Sequence, residues 1–299
     1  MNENQEECDD VLVRAMALNK TVRQVIARTR DTCDALRRAH DAGPLGATAL
    51  GRVATAAVLL SATLKDRQQV GVQVNGDGPL GELYAIADWT GRVRATVARP
   101  LAMTEDGTSV DLSAGVGEGS LSIIKGLSED APYRGVVPLV TGGIAEDLAH
   151  YLLSSEQVNS AVAIGERLGA EGVLAAGGLF IQAMPGADDS AMADLVQRLE
   201  SLPPIAECFA QSMTAEMILD RLCDDAEIVA QTPISFHCPC TREEFARRLC
   251  MLGEEELKDL TKELETVDAE CHFCRTTYSF DQEQMNALIY GARMYDLAD

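Results

Sequence analysis

Four cysteines near the end of the chain fall in two close pairs, Cys238 and Cys240 in FHCPCTREEF and Cys271 and Cys274 in ECHFCRTTYSF. A structural zinc ion takes four ligands in a tetrahedron, with Zn–S of about 2.3 Å and sulfurs therefore about 3.7 Å apart. A C-x-x-C turn meets that spacing readily, and a C-x-C meets it more tightly. Cys238, Cys240, Cys271 and Cys274 are therefore the candidate ligands of one zinc ion. His237 and His272 adjoin the pairs and are available as substitutes, but four thiolates already fill the tetrahedron. The same four sulfurs are an oxidant target, because zinc holds them deprotonated and the thiolate is the reactive form. Cysteines one or two residues apart can close on each other once oxidised. A disulfide of about 2.05 Å cannot coexist with tetrahedral spacing, so oxidation ejects the metal and withdraws its folding energy. The site therefore reads either as a staple for a small domain or as a switch.

The segments around the pairs must bring them together. Thr241 and Glu244 form a T-x-x-E start for a helix whose apolar face is Phe245, Leu249 and Leu252. Gly253 interrupts it, and Leu257, Leu260 and Leu264 line a second helix. TTYSF alternates like a strand, and DQEQMNALIYGARM reads as a closing helix. Upstream, the stretch from Asp188 to Pro233 shows no strand-like alternation until its end. It reads as two or three short amphipathic helices, broken at Pro203–Pro204 and at Asp224–Asp225, a unit of modest stability. Met184, Met192, Met213 and Met217 lie in or beside it, either as packing residues or as an adaptable surface.

Residues 10–66 read as helical, from the three- and four-residue recurrence of Val22, Ile26 and Cys33 and from the small-residue stretch GATALGRVATAAVLLSATLK. Val70, Val72 and Val74 then alternate before the turn NGDGPLG, and RVRATVA, LSIIKG and YRGVVPLV continue as strands. IAEDLAHYLLSSEQVNSAVAIGERL reads as helix and GGLFIQAMPG as a last strand. The expected fold class is α+β: an N-terminal, mostly antiparallel sheet with packed helices over residues 1–186, a helical linker over 187–235, and a small zinc-binding module over 236–299.

Composition narrows the partners. A formal net charge of -22 argues against nucleic acid, whose binding needs a basic footprint. The first residues, MNENQEECDD, lack the basic and apolar regions of a signal peptide, and VATAAVLLSATL is too short to span a bilayer. A cytoplasmic protein is expected, and nine cysteines there point to metal or redox chemistry rather than a structural disulfide framework. Enzymatic activity is not expected. AGVGEGS lacks the lysine and helix context of a phosphate loop, and no Ser-His-Asp arrangement has supporting spacing. Glu146 and Asp147 sit at a helix start, where they complement its dipole, and His40 and His150 read as surface or capping residues. The C-x-x-C lacks the βαβ surroundings of a thiol oxidoreductase. A zinc module that binds RNA or the ribosome is the alternative reading, with the acidic charge against it.

In DVLVRAMALNKTVR, NGDGPLGELYA, GRVRATV, GGLFIQAMPGA, FHCPCTREEF and ECHFCRTTYSF, in that order, the chain resembles the redox-regulated bacterial heat-shock holdase family, the thirty-three-kilodalton chaperonin. The resemblance covers almost the whole chain. It implies a stress-response chaperone core over 1–186, a metastable linker over 187–235 and a redox switch over 236–299. It implies one zinc per chain in a reduced, inactive form. By the same resemblance, oxidation by peroxide with heat, or by hypochlorous acid, forms disulfides Cys238–Cys240 and Cys271–Cys274. Zinc then leaves, the linker unfolds and the protein dimerises. It then holds unfolding client proteins without ATP and passes them to ATP-driven foldases. Cys250, Cys208 and Cys223 are read as small apolar residues, with capture of a sulfenic acid by Cys250 as the alternative; Cys8 and Cys33 are read as structural or incidental.

Overall fold

The computed structural model describes residues 10–104, 107, 110–127 and 132–296. The chain divides into two compact units, Met1–His237 and Cys238–Asp299.

The first unit holds two sheets. β1 (Val11–Ala17) and β2 (Val22–Arg28) form a hairpin. Their turn is tight, with Leu18, Asn19 and Lys20 all at positive φ. This corrects the helical expectation for residues 10–66. Val11, Val13, Ala15 and Ala17 share one face of β1, and Val22 and Ile26 share one face of β2. Both faces of the hairpin are covered, so apolar residues do not alternate cleanly and four-residue spacings arise by chance. Helix does begin at α1 (Arg30–Ala39) and continues, after a short break, in α2 (Pro44–Ser61).

β3 (Gln69–Gly76), β4 (Leu83–Asp88) and β5 (Arg92–Val97) follow as antiparallel neighbours. The short helix α3 (Leu112–Val116) leads into β6 (Gly119–Lys125) and β7 (Tyr133–Pro138). α4 (Ala145–Ser154) is as expected, but the second half of that stretch is the strand β8 (Ser160–Leu168), paired with β9 (Val173–Ala183). Ala161, Val162, Ala163 and Ile164 gave β8 no period-two signal, because small residues sit on both faces.

The segment after β9 forms three helices, α5 (Asp189–Ser201), α6 (Ile205–Ala210) and α7 (Ala215–Leu222). It ends in β10 (Glu227–Pro233) and β11 (Ser235–Phe236). One sheet runs β10-β1-β2-β9-β8, and the other runs β11-β5-β4-β3-β6-β7. Only the β11–β5 pairing is parallel among these. The α+β class with mostly antiparallel strands and packed helices is as expected, the strands falling into two sheets rather than one.

α2 is the centre of the larger core. It is buried from Leu45 to Ser61 except at Arg52, and packs against β3, β4 and β5 and against the five-stranded sheet. Gly46 permits this closeness: a Cβ there would lie 2.1 Å from the Pro100 carbonyl oxygen. α2 is the one helix among the described residues long and apolar enough to cross a membrane, and its burial makes it a core helix. The opposite face of the five-stranded sheet carries a second core. There Val13, Val22, Ile26, Leu179 and Ile181 meet Leu195, Ile205, Ile218, Leu219 and Leu222 of α5, α6 and α7.

The second unit is small. α8 (Arg242–Cys250) and α9 (Glu254–Glu263) precede a hairpin of β12 (Thr266–Glu270) and β13 (Thr277–Asp281), and α10 (Gln282–Asp296) closes it. β12 is not among the strands expected from sequence. Among the described residues, Leu257, Val267, Phe280 and Met285 form the unit's buried apolar centre. Leu252 and Leu264, expected on apolar faces, are about half exposed at 45% and 47%. They follow the last turns of their helices and face away from this centre.

Candidate metal centre

The hairpin β12–β13 and the approach to α8 place the four cysteines. Cys271 follows β12 directly, and the turn is closed by Cys271 N–H, which donates to the Thr276 carbonyl at 2.9 Å. Arg275 N–H donates back to the Cys271 carbonyl at 2.8 Å, with Arg275 itself in the left-handed region at φ 59°. This knuckle turns both sulfurs of the C-x-x-C to one side. Cys238 and Cys240 enter on an extended segment that ends at Thr241, whose side chain accepts the Glu244 N–H and starts α8. Tyr278 of β13 clamps that segment by donating its hydroxyl to the Cys240 carbonyl at 3.1 Å, and its ring packs on Phe245 with centroids 5.0 Å apart.

One ligand atom from each of Cys238, Cys240, Cys271 and Cys274 lies within 4.8 Å of all the others. Cys238 Sγ is 3.7 Å from Cys271 Sγ, and Cys240 Sγ is 3.3 Å from Cys274 Sγ. The first spacing equals the roughly 3.7 Å edge of a zinc–thiolate tetrahedron and the second is a little shorter. The donor set fits zinc: four soft sulfurs, one buried and three half-buried, close enough that thiolates there would repel without a cation. Bound there, a zinc ion would neutralise that charge and tie the two motifs together. His237 and His272 are exposed and outside the cluster. Among the described residues, the four cysteines are the ones brought together as possible ligands.

The surroundings treat the four thiols unequally. Burial pushes Cys238 up to about 12, with neighbouring sulfurs adding to the rise. Burial also raises Cys240, against the Tyr278 hydroxyl 3.3 Å away. At Cys274 burial acts upward too, but hydrogen bonding with the Thr276 side chain and backbone, and with the Cys240 and Cys271 sulfurs, outweighs it and brings the thiol to about 7. Thr276 and Tyr278 thus act on the sulfurs and were not singled out from sequence. The only signal was their place beside the C-x-x-C.

The remaining cysteines stand apart. Cys250 packs on the small core, with Sγ 3.6 Å from the Leu288 carbonyl. Cys208 and Cys223 are buried in the core beneath α5–α7, and burial raises both thiols. Cys33 is fully buried, and Cys8 lies outside the described residues.

The other sequence candidates have structural roles. Asp147 is buried and accepts the N–H groups of Val140, Thr141 and Ile144 ahead of α4. His40 is buried rather than exposed: at the end of α1 its Nε2 lies 3.1 Å from the Ala95 carbonyl. In AGVGEGS the glycines end α3 and begin β6, which is a turn.

Residues 10–281 match the model of a family described as Hsp33 protein. The chain belongs to the Hsp33 family. It is 38% identical over 285 residues to the 33 kDa chaperonin of Bacillus subtilis, covering 93% of this chain and 98% of that one. It is 37% identical over 288 residues to the 33 kDa chaperonin of Acetivibrio thermocellus, covering 94% and 97%. Its fold is similar to the crystal structure of the 33 kDa chaperonin of Thermotoga maritima, with a TM-score of 0.88, 28% identity, and 97% and 99% of the two chains covered. Membership of Hsp33 makes this a chaperone-family protein with a four-cysteine cluster suited to a metal.

Proposed function

We propose that the protein is a redox-regulated, ATP-independent holdase of the cytoplasm, inactive when reduced and zinc-bound. The observation that carries this reading is the convergence of four cysteine sulfurs within 4.8 Å in a chain of a chaperone family. In the reduced state Cys238, Cys240, Cys271 and Cys274 hold one zinc and give the 238–299 unit the stability its four-residue buried centre lacks. A thiolate attacks peroxide, the O–O bond breaks, and a sulfenic acid forms with release of hydroxide. A second thiol displaces water from that sulfur, and a disulfide remains.

The pairing Cys238–Cys240 and Cys271–Cys274 rests on the family resemblance. The two spacings of 3.7 and 3.3 Å run between motifs, so geometry alone favours no pairing. Loss of the metal site then frees the linker, residues 187–235, from the core domain, residues 1–186. Supporting this, α5–α7 cover an apolar sheet face that would suit unfolding clients once bare. The active form is a homodimer that passes clients to ATP-driven foldases, and it is not an enzyme.

The test measures zinc per chain and suppression of a heat-unfolding enzyme's aggregation, without ATP, before and after warm peroxide. One zinc lost as suppression appears is the expected result. Retained zinc, or equal suppression by both forms, overturns the switch. Salt-sensitive RNA binding by the reduced form would instead favour the nucleic-acid reading.

A further inference from the structure

Beneath α5–α7 the five-stranded sheet is largely apolar, and at its exposed edges polar side chains have partners: Gln231 donates to Glu216 of α7 and Arg167 pairs with Glu207 of α6. Along β2, Val22, Gln24 and Ile26 point to that face, while Val25 and Ala27 point to the core around α2. Gln24 is fully buried at 0% exposure. Among the described residues neither its Oε1 nor its Nε2 has a hydrogen-bond partner, and no other side chain there leaves both polar atoms of an amide unpaired.

Its surroundings explain why. Directly opposite Gln24 across the sheet stand Ala15 on β1 and Ile181 on β9, both members of the same apolar cluster. Above it, α7 packs on β2 and buries Ile218, Leu219 and Leu222. The interior N–H groups of α7 are spent within the helix, and the Met217 N–H at its start is taken by the Thr214 hydroxyl. The side chains of Ala15, Ile181, Ile218, Leu219 and Leu222 offer Gln24 neither a donor nor an acceptor.

A buried amide left unpaired costs free energy that an apolar side chain of the same shape does not. Water satisfies the amide as soon as the helices lift. The cost therefore falls on the covered state alone.

We propose that Gln24 sets how readily α5–α7 leave the sheet, acting as a built-in bias toward release. The proposal rests on the holdase reading for its purpose, since that reading makes release the activating event. Its physical content stands separately: the helices are held less tightly than their apolar contacts allow.

Hydrogen–deuterium exchange on the full, reduced, zinc-loaded chain tests it. In Gln24→Met, which keeps the length and removes the amide, exchange across α5–α7 is expected to slow about tenfold. Exchange in α2, in β3–β6 and in the 238–299 unit should not change. Gln24→Glu, which buries a carboxyl in the same place, should speed exchange across α5–α7. After oxidation, Gln24→Met should need a higher temperature than the unaltered chain before it suppresses aggregation.

Unchanged or faster exchange across α5–α7 in Gln24→Met would overturn the proposal. So would loss of the fold in both Gln24→Met and Gln24→Leu, because a destabilising residue is not required for folding. If exchange slows as expected but the unaltered chain never suppresses aggregation after oxidation, the holdase reading fails and the role of Gln24 in holding the helices stands.

Discussion

Cys274 and Cys250 show how differently one thiol type behaves in one small unit. Cys274 lies in the cluster with Thr276 beside it, whereas Cys250 packs against Leu288 outside it. Cys238→Ser, Cys271→Ser and Cys274→Ser are each expected to lose bound zinc on dialysis against a chelator, measured as metal per chain. Cys250→Ser should keep it. Peptide mapping of the oxidised chain without reductant should return Cys238–Cys240 and Cys271–Cys274; a bond that includes Cys250, Cys208 or Cys223 would change the proposed switch.

Asp10 gives a pH prediction at the same scale. It is buried and accepts the N–H groups of Asp31 and Thr32 at the start of α1. Burial pushes its carboxyl up to about 6 despite those bonds. A carboxyl raised on folding stabilises the fold fully below its unfolded value near 4, and that contribution is lost as pH rises through about 6. The stability advantage of the unaltered chain over Asp10→Asn, read from denaturant midpoints, should therefore be largest near pH 4 and shrink toward pH 7.

Among the elements, α7 is held by a short list of side chains. Ile218 is fully buried between it and the sheet. Ile218→Ala removes most of that side chain and should cost about 3 kcal/mol of local attachment. Limited proteolysis of the reduced chain should then cut first within residues 187–226. α8 depends on its cap: Thr241→Ala removes the acceptor of the Glu244 N–H and should lower the stability of the 238–299 unit by about 1 kcal/mol, read from its thermal midpoint.

At the scale of the whole molecule, the two units draw on different sources of stability. The first has the deep core around α2 and is braced by Arg52 of α2, which pairs with Glu166 of β8 at 3.0 Å. Burial raises the Glu166 carboxyl, and Arg52 opposes that rise. Glu166→Ala leaves a half-buried guanidinium and should cost about 2 kcal/mol in that unit. The second unit has, among its described residues, a small apolar centre of Leu257, Val267, Phe280 and Met285, and four clustered thiols. A chelator added to the reduced chain should unfold residues 238–299 and leave the circular-dichroism signal of the first unit's sheets in place.

The sequence by itself determined the cysteine site. Two pairs at short spacing need only a turn each, and local chemistry dictates which atoms they present. It also marked two or three short helices after residue 188, of which the structure has three, because Pro203, Pro204 and the acidic break after Leu222 act locally on the backbone. Only the tertiary structure decided that Val11–Ala17 and Val22–Arg28 are strands. Their apolar residues serve two cores at once, so no single period marks them. β8 and β12 were hidden for the same kind of reason: their pairing partners, β9 and β13, select the extended form. The unpaired Gln24 was hidden most completely, since an amide in the middle of a strand becomes costly only when the helices of residues 189–222 close over it.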